Sequence, residues 1–202
     1  MKLHWSPRSP FVRKVMIAAH ELGLAERIET VRTVVALAAP NADLIPDNPM
    51  SKIPTLVLDD GTVLFDSLVI CAYFDELAGG GRLLPREGMA RWDALTRHAV
   101  ANALLDMLLL WRQERERPPE GRKAANLDAF AVKYRATLAR MEADAAYTDG
   151  FGLVAITTGI ALAYLDFRLP DLEWRRDHPR LRAWFETFDA RPSARATQVV
   201  DG

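Results

Sequence analysis

The 202 residues amount to 22.6 kDa, half of them apolar and 26% charged, with 26 Lys and Arg against 27 Asp and Glu for a net charge of −1. A chain of this length buries roughly 70% of its unfolded surface in one or two cores, which excludes disorder, and the near-neutral balance argues against nucleic acid as the main partner. Cys71 is the only cysteine, which excludes an internal disulfide framework, a CxxC pair and a thiolate-rich zinc site and fits a reducing compartment.

The opening run Met1-Lys2-Leu3-His4-Trp5-Ser6-Pro7 lacks the apolar core of a secretory signal, so the chain reads as cytoplasmic. Lys2 to Trp5 predicts a short strand that stops at Ser6-Pro7. Pro10 to Leu22 predicts a helix with Phe11, Val15, Ala18, Ala19 and Leu22 on one face, Arg13, Lys14 and Glu21 elsewhere, and Gly23 as its stop. The β-branched run Ile28 to Val35 predicts a second strand, and the prolines between Leu37 and Met50 leave room for a short irregular helix at most. Thr55 to Leu58 and Thr62 to Phe65, joined by Asp59-Asp60-Gly61, predict a hairpin. Asp66-Ser67 then opens an apolar helix to about Leu77, which Gly79-Gly80-Gly81 ends.

Beyond Pro85 the pattern is helical throughout. Helices are predicted over 88–117, 122–146, 153–165 and 179–190, the first two carrying Leu104, Leu105, Leu108, Leu109 and Trp111, and Phe130, Tyr134, Leu138 and Met141, at helical spacing. The uncharged run Phe151 to Leu165 is shorter than the ~18 residues of a membrane span and reads as a buried helix. The expected organisation is an α/β domain over 1–78 followed by an all-helical domain over 86–202.

Three turns in the first domain have special backbone chemistry. Ser9 before Pro10 is either a plain helix cap or a hydroxyl that, with the helix N-terminus, donates to an anion. Pro54 stands directly before a strand; it either enters an edge strand or, through a cis bond, turns the Ile53 main chain toward a ligand. Asp66-Ser67 either caps the next helix or holds a ligand carboxylate through Ser67 and the helix amides. The three turns together suit a ligand with several charged groups.

In order and spacing, Ser9-Pro10-Phe11-Val12-Arg13-Lys14, Asn48-Pro49-Met50-Ser51-Lys52-Ile53-Pro54-Thr55-Leu56, Phe65-Asp66-Ser67 and Tyr164-Leu165-Asp166-Phe167-Arg168 resemble the glutathione transferases, in particular bacterial serine-type members. The resemblance covers nearly the whole chain. It implies a thioredoxin-like N-terminal domain, an all-α C-terminal domain and a homodimer, with glutathione as co-substrate, no metal, and no nucleic-acid or membrane partner. By position it makes Ser9 the hydroxyl that hydrogen-bonds the glutathione sulfur. Pro54 matches the family's cis-proline, Ile53 the residue whose main chain pairs with the cysteinyl part, and Asp66 and Ser67 the pair that holds the γ-glutamyl amine and carboxylate. Lys52 and Arg13 are neighbouring cations that read as surface charge or structural ion pairs, with ligand contact the alternative.

Two departures stand out. Where the family often places Ser or Thr and, three residues on, Asp at the start of the C-terminal core helix, this chain has Gly152 and Ala155; a compensating arrangement, or a later start capped by Thr157 or Thr158, is expected. Serine, not cysteine, stands at positions 6 and 9, which disfavours thiol exchange, and Cys71 reads as an inert buried thiol. Trp5, Arg8, Trp111 and Arg112 are candidates for the electrophile pocket, with core or dimer packing the alternative for the tryptophans. Two functions remain: conjugation of glutathione to a small electrophile, or a transferase-like scaffold that binds or regulates without turnover.

Overall fold

In the computed structural model, which describes residues 1–200, contacts group the chain into two compact units, Met1–Arg86 with the stretch from Pro192 onward, and Glu87–Arg191. The first unit is built on a four-stranded sheet in the order β2-β1-β3-β4, with β1 at Lys2–Trp5, β2 at Glu29–Arg32, β3 at Thr55–Val57 and β4 at Val63–Leu64. Strands β1 and β2 are parallel, and parallel neighbours need a crossover, which helix α1 (Pro10–Glu21) supplies. On the other side β3 runs antiparallel to β1, and β4 antiparallel to β3. Helix α2 (Ser67–Leu77) packs against α1, and Leu3, Leu56, Val15, Ile17, Ala18, Ile70 and Phe74 form a fully buried core.

Strand β2 is shorter than the run Ile28 to Val35. The Thr33 hydroxyl bonds back to the Val31 carbonyl at 3.0 Å and lies 2.9 Å from Nδ1 of His4, so the side chain competes with the ladder just where the strand ends. Nε2 of His4 reaches Asp47 at 3.1 Å, and the irregular 33–50 segment is thereby tied to β1 at two points.

Helix α1 differs from the expected face. Arg13 and Lys14 are both buried, Lys14 completely. Arg13 donates to the Ala194 carbonyl at 3.2 Å, and Ser193 donates to Glu21 at 2.5 Å, so the short helix α7 (Pro192–Ala196) lies on α1. Residues from Pro192 on therefore group with the first unit, whereas the expected boundary put everything after 86 in the helical domain.

The turn after α2 is set by one carboxylate. Asp75, 4% exposed, accepts from the N–H groups of Gly81, Arg82, Leu83 and Leu84 at 3.1, 2.9, 2.9 and 3.2 Å. To present those amides the chain passes through positive φ at Gly79, Gly80 and Gly81, which glycine adopts without steric cost.

The second unit consists of α3 (Gly88–Glu116), α4 (Ala124–Ala143), α5 (Leu153–Arg168) and α6 (Pro179–Asp189). Its centre is α5, buried on every side from Leu153 to Leu162 and packed mainly on α3. Trp111, 5% exposed, meets Tyr134 edge-on at 5.7 Å between ring centroids, which places it in this core. Helix α5 starts at Leu153, with Gly152 as a cap that has no side chain to give, and Thr157 bonds the Leu153 carbonyl at 2.8 Å inside the helix. The later start does not occur. Instead Phe151 stacks on Phe188 and Arg191 lies over the Phe151 ring at 3.6 Å, which fixes the approach of the chain.

Two other helix starts are capped from a distance. Glu114 on α3 accepts from the Lys123 N–H at 2.7 Å at the head of α4, and Glu142 on α4 accepts from Arg180 and Leu181 N–H at 2.7 and 2.9 Å at the head of α6. On α5, Asp166 accepts from Trp174 at 2.8 Å and from both ends of the Arg175 guanidinium, pinning the loop beyond Pro170. Among the described residues, no helix is long and apolar enough to cross a membrane.

Candidate functional site

Strand register brings the three special turns to one end of the sheet. The pairing His4–Thr55 sets the exit of β1 beside the start of β3, and the pairing Leu56–Leu64 sets the exit of β4 beside the same point. The Ser9, Pro54 and Asp66-Ser67 turns therefore share one edge.

Ser9, half-buried, caps α1: its Oγ accepts from the Val12 N–H at 3.3 Å, and Pro10 occupies the first helical position, where no N–H is needed. A hydroxyl carries one donor and two acceptor sites. Since a lone pair serves Val12, the Ser9 hydrogen is left to donate into the space beyond the helix end. Beside it the Ser6 hydroxyl accepts from the exposed Arg32 at 2.8 Å, and Arg32 also lies over the Trp5 ring at 5.9 Å.

The Ile53–Pro54 bond is cis. The ladder to β1 begins only at Thr55, so the main chain of Ile53 stands outside it. Asn48, 2% exposed, organises this loop: its Nδ2 donates to the Lys52 carbonyl at 3.1 Å and to Thr55 Oγ1 at 2.9 Å, and its Oδ1 accepts from Met50 N–H at 3.0 Å. The Lys52 carbonyl also takes the Thr55 hydroxyl at 2.8 Å, while its side chain is exposed.

Asp66 is exposed and caps α2, accepting from Leu68 N–H at 2.9 Å; a second cis bond joins it to Phe65. Ser67 is the first residue of that helix, 2% exposed, and its Oγ lies 3.1 Å from Nζ of the buried Lys14. One turn further along α2, burial pushes the Cys71 thiol up to about 12. It is neither accessible nor a thiolate at neutral pH. Among the described residues, no group of three or more His, Cys, Asp or Glu side chains is placed to hold a metal ion.

The family model described as glutathione S-transferase, N-terminal domain, matches residues 8–77, and the model for the C-terminal domain matches residues 124–187. The "Uncharacterized GST-like protein YibF" of Escherichia coli K12 is 30% identical, over 98% of both chains. The chain belongs to the glutathione S-transferase family. A crystal structure of a glutathione transferase family member from Pseudomonas fluorescens Pf-5 with bound glutathione is 44% identical with a TM-score of 0.95, covering 99% of each chain. A second structure, of a Pseudomonas fluorescens Pf-5 family member with bound S-(propanoic acid)-glutathione, is 42% identical with a TM-score of 0.89, covering all of each chain.

As a glutathione S-transferase family member the chain has the thioredoxin-like first unit and the helical second unit that the resemblance implied. The structure brings Ser9, Ile53, Pro54, Asp66 and Ser67 to one sheet edge, with Lys52 at its rim. Arg13 is not part of that edge; it holds α7. Trp111 belongs to the helical core, and Arg112 pairs with Glu116 at 3.2 Å on the same helix. Two residues have places that the sequence reading did not give them. Asn48 heads one of the quoted motifs, but nothing in the motif pointed to its hold on the Lys52 loop. Lys14 lies four residues before Ala18 and next to Val15, so the helical period itself placed it toward the core; only its charge argued for the outside.

Proposed function

We propose that the protein is a serine-type glutathione transferase that activates the glutathione thiol through Ser9 and adds the thiolate to a small electrophile, working as a homodimer in the cytoplasm without a metal. The observation that carries this reading is the Ser9 hydroxyl: it accepts from Val12 behind it and keeps its hydrogen for a sulfur in front, at the positive end of α1. A free thiol titrates near 8.5, and a donor together with a helix N-terminus lowers that value. Each tenfold gain in thiolate requires about 1.4 kcal/mol of preferential stabilisation, which a charge-assisted hydrogen bond supplies.

In this reading the Ile53 main chain, left free by the late start of β3, pairs with the cysteinyl residue of glutathione. Pro54 keeps that stretch out of the ladder, Asp66 takes the γ-glutamyl amine, Ser67 its carboxylate, and the exposed Lys52 reaches the ligand from the rim. Glutathione in the first Pseudomonas fluorescens structure supports the ligand, and the S-substituted form in the second supports room beyond the sulfur.

The test is calorimetric titration with reduced and S-methyl glutathione, alongside turnover of a general electrophile. Ser9→Ala is expected to weaken the thiol ligand, leave S-methyl glutathione unaffected and reduce turnover at least about tenfold, the loss of one charge-assisted donor. Binding kept by both proteins with no turnover in either identifies a binding or regulatory member instead. No binding of any glutathione species by the unaltered protein overturns the proposal.

A further inference from the structure

The side chain that the function has so far left unused is the most deeply buried charge in the first unit. Lys14 is 0% exposed, with its Nζ 3.1 Å from Ser67 Oγ and 5.3 Å from the centre of the Phe11 ring. Taking an ammonium out of water is costly, and an apolar side chain of similar length fills such a place at lower cost. A lysine kept there is accounted for by what its charge and its donors do.

An ammonium has three hydrogens and no lone pair, so in the contact between Nζ and Oγ the lysine donates and the serine accepts. The direction of the Ser67 hydroxyl follows. With a lone pair taken by the ammonium, its hydrogen is turned away from Lys14 and is left to donate to another acceptor. Ser67 is 2% exposed and is the first residue of α2, at the helix end toward which the unpaired amides point. The ammonium behind it polarises the hydroxyl into a stronger donor and adds positive potential at a place where salt does not screen it.

We infer that Lys14 is a positioning residue for anion recognition: through Ser67 Oγ it turns the Ser67 hydroxyl outward and charges the head of α2 for the γ-glutamyl α-carboxylate of glutathione. This rests on the reading of Ser67 as the carboxylate ligand given above. It assigns helix α1 two tasks, with Ser9 at its cap serving the sulfur and Lys14 one turn later serving the far end of the same tripeptide.

The experiment uses three thiols: glutathione, 4-aminobutanoyl-cysteinylglycine, which lacks only the α-carboxylate, and glutaryl-cysteinylglycine, which lacks only the α-amine. The unaltered protein is expected to bind glutathione at least about tenfold more tightly than the carboxylate-free analogue, the value of one hydrogen bond to a charged group. In Lys14→Met that ratio collapses to within about twofold, while the ratio between glutathione and the amine-free analogue is unchanged; Lys14→Gln, which keeps a donor and removes the charge, falls between. A lysine that only supports the fold weakens all three ligands alike, and an unchanged carboxylate ratio in folded Lys14→Met overturns the inference.

A second measurement needs no variant. In the unaltered protein the carboxylate ratio persists when salt is raised from about 50 to about 500 mM, because the charge behind Ser67 is out of solvent. A ratio that falls to near one assigns the carboxylate to an exposed cation such as Lys52 and also overturns the inference. If the unaltered protein binds none of the three thiols, the glutathione reading itself has failed, an outcome distinct from either of these.

Discussion

At the scale of single residues, the most demanding contact in the molecule is made by an atom that is missing. A Cβ on Gly159, in the middle of α5, would stand 2.5 Å from two carbons of the Phe188 ring and 2.6 Å from a third. That ring cannot retreat, since it is 1% exposed and lies among Phe151, Trp184 and Phe185. Gly159→Ala gains roughly 0.5–1 kcal/mol of helix preference and loses about 1–3 kcal/mol to overpacking. The expected outcome is a lower urea midpoint, with part of the loss recovered when Phe188→Leu is added. Gly159 was not singled out in the sequence, because a glycine within a helical pattern shows its contact only once the partner helix is placed.

At the scale of elements, several helix starts depend on carboxylates that lie far away in sequence. Local signals were sufficient for α1 and α2, whose caps Ser9 and Asp66 stand next to the helices they close. They were insufficient for α4 and α6, whose preceding residues Lys123 and His178 offer no capping side chain and whose first amides are taken by Glu114 and Glu142. Glu142→Ala removes two charge-assisted bonds from the head of α6 and is expected to cost about 1–3 kcal/mol, read as a fall in denaturation midpoint; Glu142→Gln recovers part of it. The same division explains what was legible. The succession of strands and helices in the first unit and the positions of the three site turns followed from period and punctuation, whereas the order of the strands in the sheet and the return of α7 to α1 follow from contacts between distant segments. The site's chemistry was visible where a residue acts on its own neighbours, as Ser9 and Asp66 do. It was hidden where a residue acts through another, as Asn48 does on the Lys52 loop.

At the scale of the whole molecule, part of the acid sensitivity follows from carboxylates paired with arginines on the helical unit. The hydrogen bond from Arg97, at 3.0 Å, keeps the Asp144 carboxyl below the usual carboxylate range, and Arg115 at 2.8 Å does the same for Asp171. A group held low in the native state stabilises it above the unfolded value near 4, and that stabilisation is lost as pH falls through the native value. Stability is therefore expected to decline below about pH 4, and the double variant Asp144→Asn with Asp171→Asn to give a shallower acid limb in urea midpoints measured across that range.

The placement of α7 bears on how the protein is made. Pro192–Ala196 leave the ribosome after all of 87–191, yet they lie on α1, whose Arg13 and Glu21 they bond. During synthesis the first unit carries the exposed flank of α1 through the entire translation of the helical one. Its stability is complete only when a segment made roughly a hundred residues later comes back, so the order in which the units mature need not be the order in which they are made.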